Sequence, residues 1–217
     1  MNELARQPSA RRELKERIIE AAGHLFAEHG IKSITMDDIA TSFGISKRTL
    51  YEMFADKETL LIECIRREME EELAYIQQLA ESCNVLEILL KKYQRSIERF
   101  HATSRRFFED IQKYPRAYEF LRNGNNRTTE DAVNFFREGV RQGFFRDDIN
   151  FPIVNHLLRA QIDILMESDL CKTYPFLDVY EAIMFTFLRG ISTPKGAVAL
   201  DEFIHEYRKH TLMKNEE

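Results

Sequence analysis

Glycine, proline and cysteine are scarce in this chain of 217 residues, at 8, 5 and 3. So few turn formers argue against an all-β fold of short strands and favour long helices. Cys64, Cys83 and Cys171 are odd in number and widely spaced, with no CxxC pair; this excludes a disulfide framework or zinc knuckle and suits a reducing cytosol. No apolar run approaches the ~18 residues of a membrane span, and the N-terminal segment lacks the apolar centre of a signal peptide. The chain is therefore expected to be soluble and cytoplasmic, with no membrane partner. Catalytic signatures are missing too. There is no HExxH, GxGxxG, Walker loop, GxSxG or kinase motif, and the six histidines form no ligand set with carboxylates at i+4. No metal, no cofactor and no enzymatic activity are expected. Excess positive charge is also lacking: 31 Lys and Arg stand against 36 Asp and Glu, a formal net charge of −5. Taken alone, that weighs against a nucleic-acid binder.

Helical periodicity dominates what is present. Within residues 10–29, Ile18, Ala22, Leu25, Phe26 and His29 form one stripe of an amphipathic helix, with Arg11, Lys15 and Arg17 elsewhere around it. Gly30 sits where a left-handed C-cap belongs. Thr35 and Asp38 form a capping box with Asp in place of Glu; the helix they open buries Ile39, Ala40 and Phe43 and stops at Gly44. Ser46 caps a third helix over 47–54, and Asp56 opens a fourth over 57–79. Asn84 with Glu87 starts another that runs to 102, followed by short pieces at 104–113 and 115–122. After a turn-like run at 123–126, a helix continues to 142 and ends at Gly143. Later helices are expected over 152–168, with Pro152 as first residue, over 176–189, stopped by Gly190, and over 198–210. No segment reads as a strand. The expected fold is all-α, with about nine to ten helices in total.

The informative stretch is 35–57, TMDDIATSFGISKRTLYEMFADK. Two short helices joined by a turn at Gly44 carry apolar residues at Ile39, Ala40, Phe43, Ile45, Leu50 and Phe54. Such a pair packs into one corner and leaves the front of its second helix free, as in the helix-turn-helix. Lys47, Arg48 and Thr49 occupy the first turn of that helix. They offer a cation, a planar fork that matches guanine O6 and N7, and a methyl-bearing hydroxyl suited to thymine.

The run IIEAAGHLFAEHGIKSITMDDIA followed by FGISKRTLYEMFADKETLL resembles the DNA-binding domain of the TetR (tetracycline-repressor) family of bacterial transcription regulators. The resemblance covers roughly residues 14–62, under a third of the chain. It implies DNA contacts from Thr35 and Met36 at the start of the second helix, from Ser46, Lys47, Arg48 and Thr49 at the recognition helix, and from Tyr51 against the backbone. It also implies a phosphate grip by Lys57, which agrees with a cation beside a helix N-terminus. Glu52 departs from this pattern: it either reads cytosine N4 or faces solvent. Arg6, Arg11, Arg12, Lys15 and Arg17 read equally as a minor-groove arm or as a solvated tail. A generic three-helix bundle is the bland alternative for residues 10–55.

The expected division is a helix-turn-helix domain at 1–55 and a helical effector-binding and dimerisation domain at 56–217. Helices 152–168 and 176–189 are the dimerisation candidates. In the second, Val179, Tyr180, Ile183 and Phe187 belong to an apolar surface that covers more than one face. The resemblance implies a homodimer paired through the last long helices and a pocket for a small-molecule effector, which displaces the fourth helix when bound. Tyr93, Phe100, Phe107, Phe135 and Gln161 are candidate lining residues, since pockets between helices are mostly apolar with a few polar anchors. Cys64 and Cys171 are candidate redox sensors, with a buried inert thiol the commoner outcome. The function expected is a ligand-responsive regulator that binds double-stranded operator DNA as a homodimer and represses until a small apolar or aromatic effector releases it. Its rival is a DNA-binding protein of the same fold with no effector, controlled by a protein partner. Charge distribution answers the opening objection. Residues 1–57 hold nine cations and nine anions, so the whole excess of acid lies behind them.

Overall fold

Capping side chains and left-handed glycines set the helix boundaries at the front of the chain. The computed structural model describes residues 6–123, 129–167 and 170–214. Among these, α1 (Arg6–His29), α2 (Met36–Ser42), α3 (Lys47–Met53) and α4 (Lys57–Ala80) come first. Next are α5 (Val85–Ala102), α6 (Arg105–Ile111), α7 (Pro115–Asn123) and α8 (Thr129–Arg141). The rest are α9 (Phe151–Glu167), α10 (Leu170–Thr173), α11 (Phe176–Ile191) and α12 (Pro194–Lys214). No strand forms among the described residues beyond an isolated bridge between Phe145 and Ser192. The chain is all-α. Gly30 and Gly143 adopt φ of +87° and +77° and end α1 and α8, as the sequence predicts.

Four expectations need correction. Among the described residues twelve helices form, where about nine to ten were expected, and one of them is the four-residue α10. Pro152 is the second residue of α9, not the first, because Asn150 Oδ1 accepts from the Ile153 N–H at 3.3 Å and the helix opens at Phe151. Gly190 does not stop α11; it is not left-handed, and the helix runs on to Ile191. The last helix starts four residues earlier than predicted, at Pro194. There the Thr193 hydroxyl accepts from the Gly196 N–H at 3.1 Å, and Gly196 lets the first turn lie on the Phe144 carbonyl, which a Cβ would meet at 2.2 Å. The turn predicted at 123–126 and the helix end at Ser168 fall on or beside residues outside the described ones.

The chain divides into two compact units, residues 1–74 with 99–125 and residues 75–98 with 126–217. In the first, Ile18, Ala22, Phe26, Ile39, Leu50, Phe54, Leu60 and Ile111 form a continuous core. Arg67 of α4 pairs with Glu16 and Glu20 of α1 across its edge. In the second, α9 packs against α8 and α11, and Phe136 stacks on Phe151 at 5.4 Å. Tyr93, 1% exposed, centres an aromatic cluster there, stacked on Tyr180 at 5.7 Å and edge-on to Tyr207 at 5.6 Å.

Candidate nucleic-acid interface

The corner that presents α3 is built by local hydrogen bonds. Asp38 N–H donates to Thr35 Oγ1 at 3.1 Å while Thr35 N–H donates to Asp38 Oδ2 at 2.8 Å, closing the capping box that starts α2. The Thr35 bonds hold the Asp38 carboxyl below the usual carboxylate range. Gly44 turns the chain with φ +62°, and the Ile45 N–H reaches back to the Ala40 carbonyl at 3.0 Å. Ser46 Oγ then accepts from the Thr49 N–H at 3.0 Å and opens α3. Leu50 and Phe54, 0% and 1% exposed, fix this helix to the core, which leaves the opposite face outward.

That outward face is cationic, but its cations are held. Arg48 is 89% exposed, and its Nε–H donates to Glu52 Oε1 at 3.1 Å. Glu52 Oε2 lies 3.7 Å from Arg11 of α1. Lys47 Nζ pairs with Asp37 of α2 at 2.5 Å, and that contact raises the lysine pKa. Tyr51 is 45% exposed beside them. The Thr49 hydroxyl shares a hydrogen bond with Ser46 at 2.8 Å.

Met36, Lys57 and the basic N-terminal segment have surroundings that the sequence does not show. The Met36 side chain is buried in the core. Lys57 is half-buried, with Nζ 5.7 Å from the Phe26 ring and 5.8 Å from that of Tyr114. Burial lowers its pKa, against the opposing pull of Asp110 and Asp38. The basic N-terminal segment is helical, since α1 starts at Arg6, and Arg11, Arg12 and Arg17 are exposed on it. Its Lys15 and Arg17 lie over the Phe54 and Phe43 rings, at 5.5 and 5.9 Å. The Arg6 side chain lies outside the described residues.

Residues that sequence reasoning missed brace this unit. Asp110 of α6, 8% exposed, accepts from the Lys32 N–H at 2.8 Å and from Lys113 Nζ at 3.1 Å. Arg116 of α7 donates to Glu58 at 3.0 Å and to Asp56 at 2.7 Å. Residues 78 apart in sequence give no signal of such pairing.

The candidate pocket residues fall in both compact units. Phe100 and Phe107, each next to Phe108 at 6.0 and 5.7 Å, belong to the first. Tyr93, Phe135 and Gln161 belong to the second, with Tyr93 enclosed by rings and Gln161 exposed. Of the four dimer candidates, Val179 and Tyr180 are buried in the chain's own unit, Phe187 lies 5.8 Å from Phe136, and Ile183 is half-buried. Burial pushes the Cys64 thiol up to about 12, and its Sγ–H donates to the Ile19 carbonyl at 3.2 Å, both of which disfavour the thiolate. The Cys171 side chain lies outside the described residues. Among the described residues, no group of three His, Cys, Asp or Glu is placed to hold a metal ion.

Residues 18–64 match the signature described as bacterial regulatory proteins, tetR family. These are the residues that build the core of α1, the α2–α3 corner and the start of α4. Over these residues the chain carries the DNA-binding signature of the TetR family. Similar proteins agree with this. The HTH-type transcriptional repressor KstR2 of Mycobacterium tuberculosis is 29% identical over 166 residues, 73% of this chain and 81% of that protein. The HTH-type transcriptional regulator UidR of Escherichia coli is 27% identical over 147 residues, 66% of this chain and 75% of that one. The fold of a TetR-family regulator from Agrobacterium tumefaciens superposes with a TM-score of 0.62, over 84% of this chain and 100% of its own, at 17% identity. The chain thus has a tetR-family signature at its front, transcriptional regulators among its relatives and an all-helical fold like that of the Agrobacterium tumefaciens regulator.

Proposed function

We propose that this TetR-family chain is a ligand-responsive transcriptional repressor. It binds operator DNA as a homodimer through the helix-turn-helix of residues 1–55. It releases the operator when residues 56–217 take up a small apolar or aromatic effector. The observation that carries the reading is the outward face of α3. Arg48, Thr49 and Tyr51 lie on a helix whose opposite side, Leu50 and Phe54, is locked in the core. A helix held in this way enters the major groove without reorganising, with its fork-shaped cation toward base edges. Ser46, Lys47 and the α2 start at Thr35 and Met36 flank it. Lys57 joins the contact by leaving its place between two rings.

A single helix-turn-helix reads few base pairs, so a dimer is required for specificity. The apolar surface suited to it is on α9, where Ile153, Leu157 and Ile164 are 57%, 55% and 54% exposed at helical spacing. KstR2 is a ketosteroid transcriptional regulator, which supports an apolar effector class for its relative. For tenfold release the effector needs only about 1.4 kcal/mol of preference for the form that does not bind DNA. The protein acts on the chromosome and therefore in the cytoplasm. Among the described residues no helix is long and apolar enough to cross a membrane.

The test is selection from randomised duplexes by the full chain, followed by challenge of the selected complex with a panel of apolar and aromatic metabolites. Enrichment of an inverted repeat with half-sites about one helical turn apart, and its release by a panel member, is the expected result. No enriched sequence overturns the DNA-binding reading. Enrichment without release by any member overturns the effector.

A further inference from the structure

The carboxylate on the recognition helix has two partners, one a helical turn before it and one on α1. Glu52 Oε1 accepts from the Arg48 Nε–H at 3.1 Å, and Oε2 lies 3.7 Å from Arg11 Nη2. Glu52 is itself 48% exposed and Arg48 89% exposed. The contact therefore stands on the outer surface of α3, not in the core. From this geometry we infer that Glu52 is a specificity-determining positioning residue: it aims the Arg48 guanidinium at a guanine.

The chemistry follows from the shape of the fork. A guanidinium has two edges suited to the O6 and N7 acceptors of guanine, one formed by Nε with a terminal nitrogen and one by the two terminal nitrogens. With Nε committed to Glu52, the terminal edge remains for the base. Arginine also carries large rotamer freedom, which an unpaired side chain surrenders when it binds. An exposed pair one helical turn apart reduces the freedom left to lose. Glu52 has a second effect. A carboxylate facing DNA repels both phosphates and the guanine acceptors, so it lowers affinity for every sequence. Arg48 recovers that loss only where a guanine accepts its fork. The pair thus raises the ratio of specific to non-specific binding, not affinity as such. The Arg11 contact ties the carboxylate to α1 and keeps it from swinging toward a cytosine N4.

This inference rests on the DNA-binding reading, and its test separates the two. Wild-type protein, Glu52→Ala, Glu52→Gln, Arg48→Ala and the double Glu52→Ala/Arg48→Ala variant are each titrated by fluorescence anisotropy. The probes are the operator selected by the wild type, its single-base variants and a random duplex. Thermal melts confirm that the exposed substitutions leave the fold intact. Glu52→Ala is expected to lower discrimination about tenfold at one guanine, the position that Arg48→Ala also relaxes. It is expected to bind the random duplex more tightly than wild type. Glu52→Gln, whose amide oxygen still accepts from Nε, retains most of the guanine preference. The double variant is no less specific at that guanine than Arg48→Ala alone, the non-additivity of groups acting as one. Relaxation at a cytosine untouched by Arg48→Ala, or additive losses, would overturn the inference and make Glu52 a direct reader. Unchanged discrimination in Glu52→Ala would make the pair a solvated contact and overturn it as well. If the wild type selects no sequence at all, the DNA-binding reading itself fails, and this inference with it.

Discussion

Substituting Asp110 tests the bracing of the helix-turn-helix from a residue that no local pattern points to. Its buried carboxylate accepts from the Lys32 backbone N–H at 2.8 Å and from Lys113 Nζ at 3.1 Å. In Asp110→Ala the Lys32 N–H loses this acceptor. A hydrogen bond to a charged group contributes about 1.5–3 kcal/mol, and this one is part-buried, running from an exposed Lys32 to a buried Asp110. The expected loss is therefore about 2–3 kcal/mol, or a fall of roughly 4–12 °C in melting temperature for a chain of this size. Asp110→Asn keeps an oxygen for Lys32 and loses the charge, so it is expected to lose about half as much. Acidity supplies an internal control. Burial pushes the Asp110 pKa up, but the Lys32 N–H and the Lys113 ammonium outweigh it, so the folded value lies below the ordinary one. A depressed carboxyl stabilises the fold above its unfolded pKa of about 3.9, and that contribution is lost as pH falls through the folded value. Urea midpoints should separate wild type from Asp110→Ala fully at pH 7, with the gap narrowing below about pH 4. A gap under about 0.5 kcal/mol at pH 7, or one unchanged at pH 3, would refute the reasoning.

Three further outcomes are expected. Lys57→Met should leave the melting temperature within a few degrees of wild type, because the stem still fills the space between Phe26 and Tyr114. It should flatten the salt dependence of operator binding by about 0.9 in log–log slope, the share of one phosphate contact; an unchanged slope would make Lys57 purely structural. Gly30→Ala combines a left-handed residue with a Cβ that would stand 2.7 Å from Arg106 Cβ. Chemical denaturation should register a loss of about 2–4 kcal/mol. Leu157→Glu puts a charge on the exposed apolar stripe of α9 and should weaken the dimer at least tenfold by analytical ultracentrifugation; sedimentation identical to wild type would move the interface elsewhere.

What could be read from the sequence was local. Thr35 with Asp38, Ser46 with Thr49 and Gly30 after α1 fix helix ends through groups three or four residues apart, and those ends appear where expected. The same rules failed where the deciding contact is distant. Gly190 carries the residue type of a stop but not the left-handed backbone that makes one. The start of α12 is set by Gly196 against the Phe144 carbonyl, some fifty residues away in sequence. At the candidate interface, the residue types of the recognition helix were legible, and their partners on other helices were not. The i,i+4 spacing allows Arg48 to meet Glu52 within α3, yet the further contact of Glu52 with Arg11 depends on how α1 crosses α3. Tyr180 shows the converse limit. Periodicity shows an apolar surface covering more than one face of α11, and it does not show that the Tyr180 ring stacks on Tyr93 of the same chain.

The central claim, sequence-specific DNA binding through α3, is tested most directly by titrating the full chain against its selected operator across 50–200 mM salt. The account predicts a steep linear fall of log affinity with log salt, on the order of a thousandfold for six or more phosphates neutralised. At every salt concentration, Arg48→Ala should prefer the operator over a random duplex by about tenfold less than the wild type does. An affinity that does not change with salt, or an Arg48→Ala protein as specific as the wild type, would contradict it.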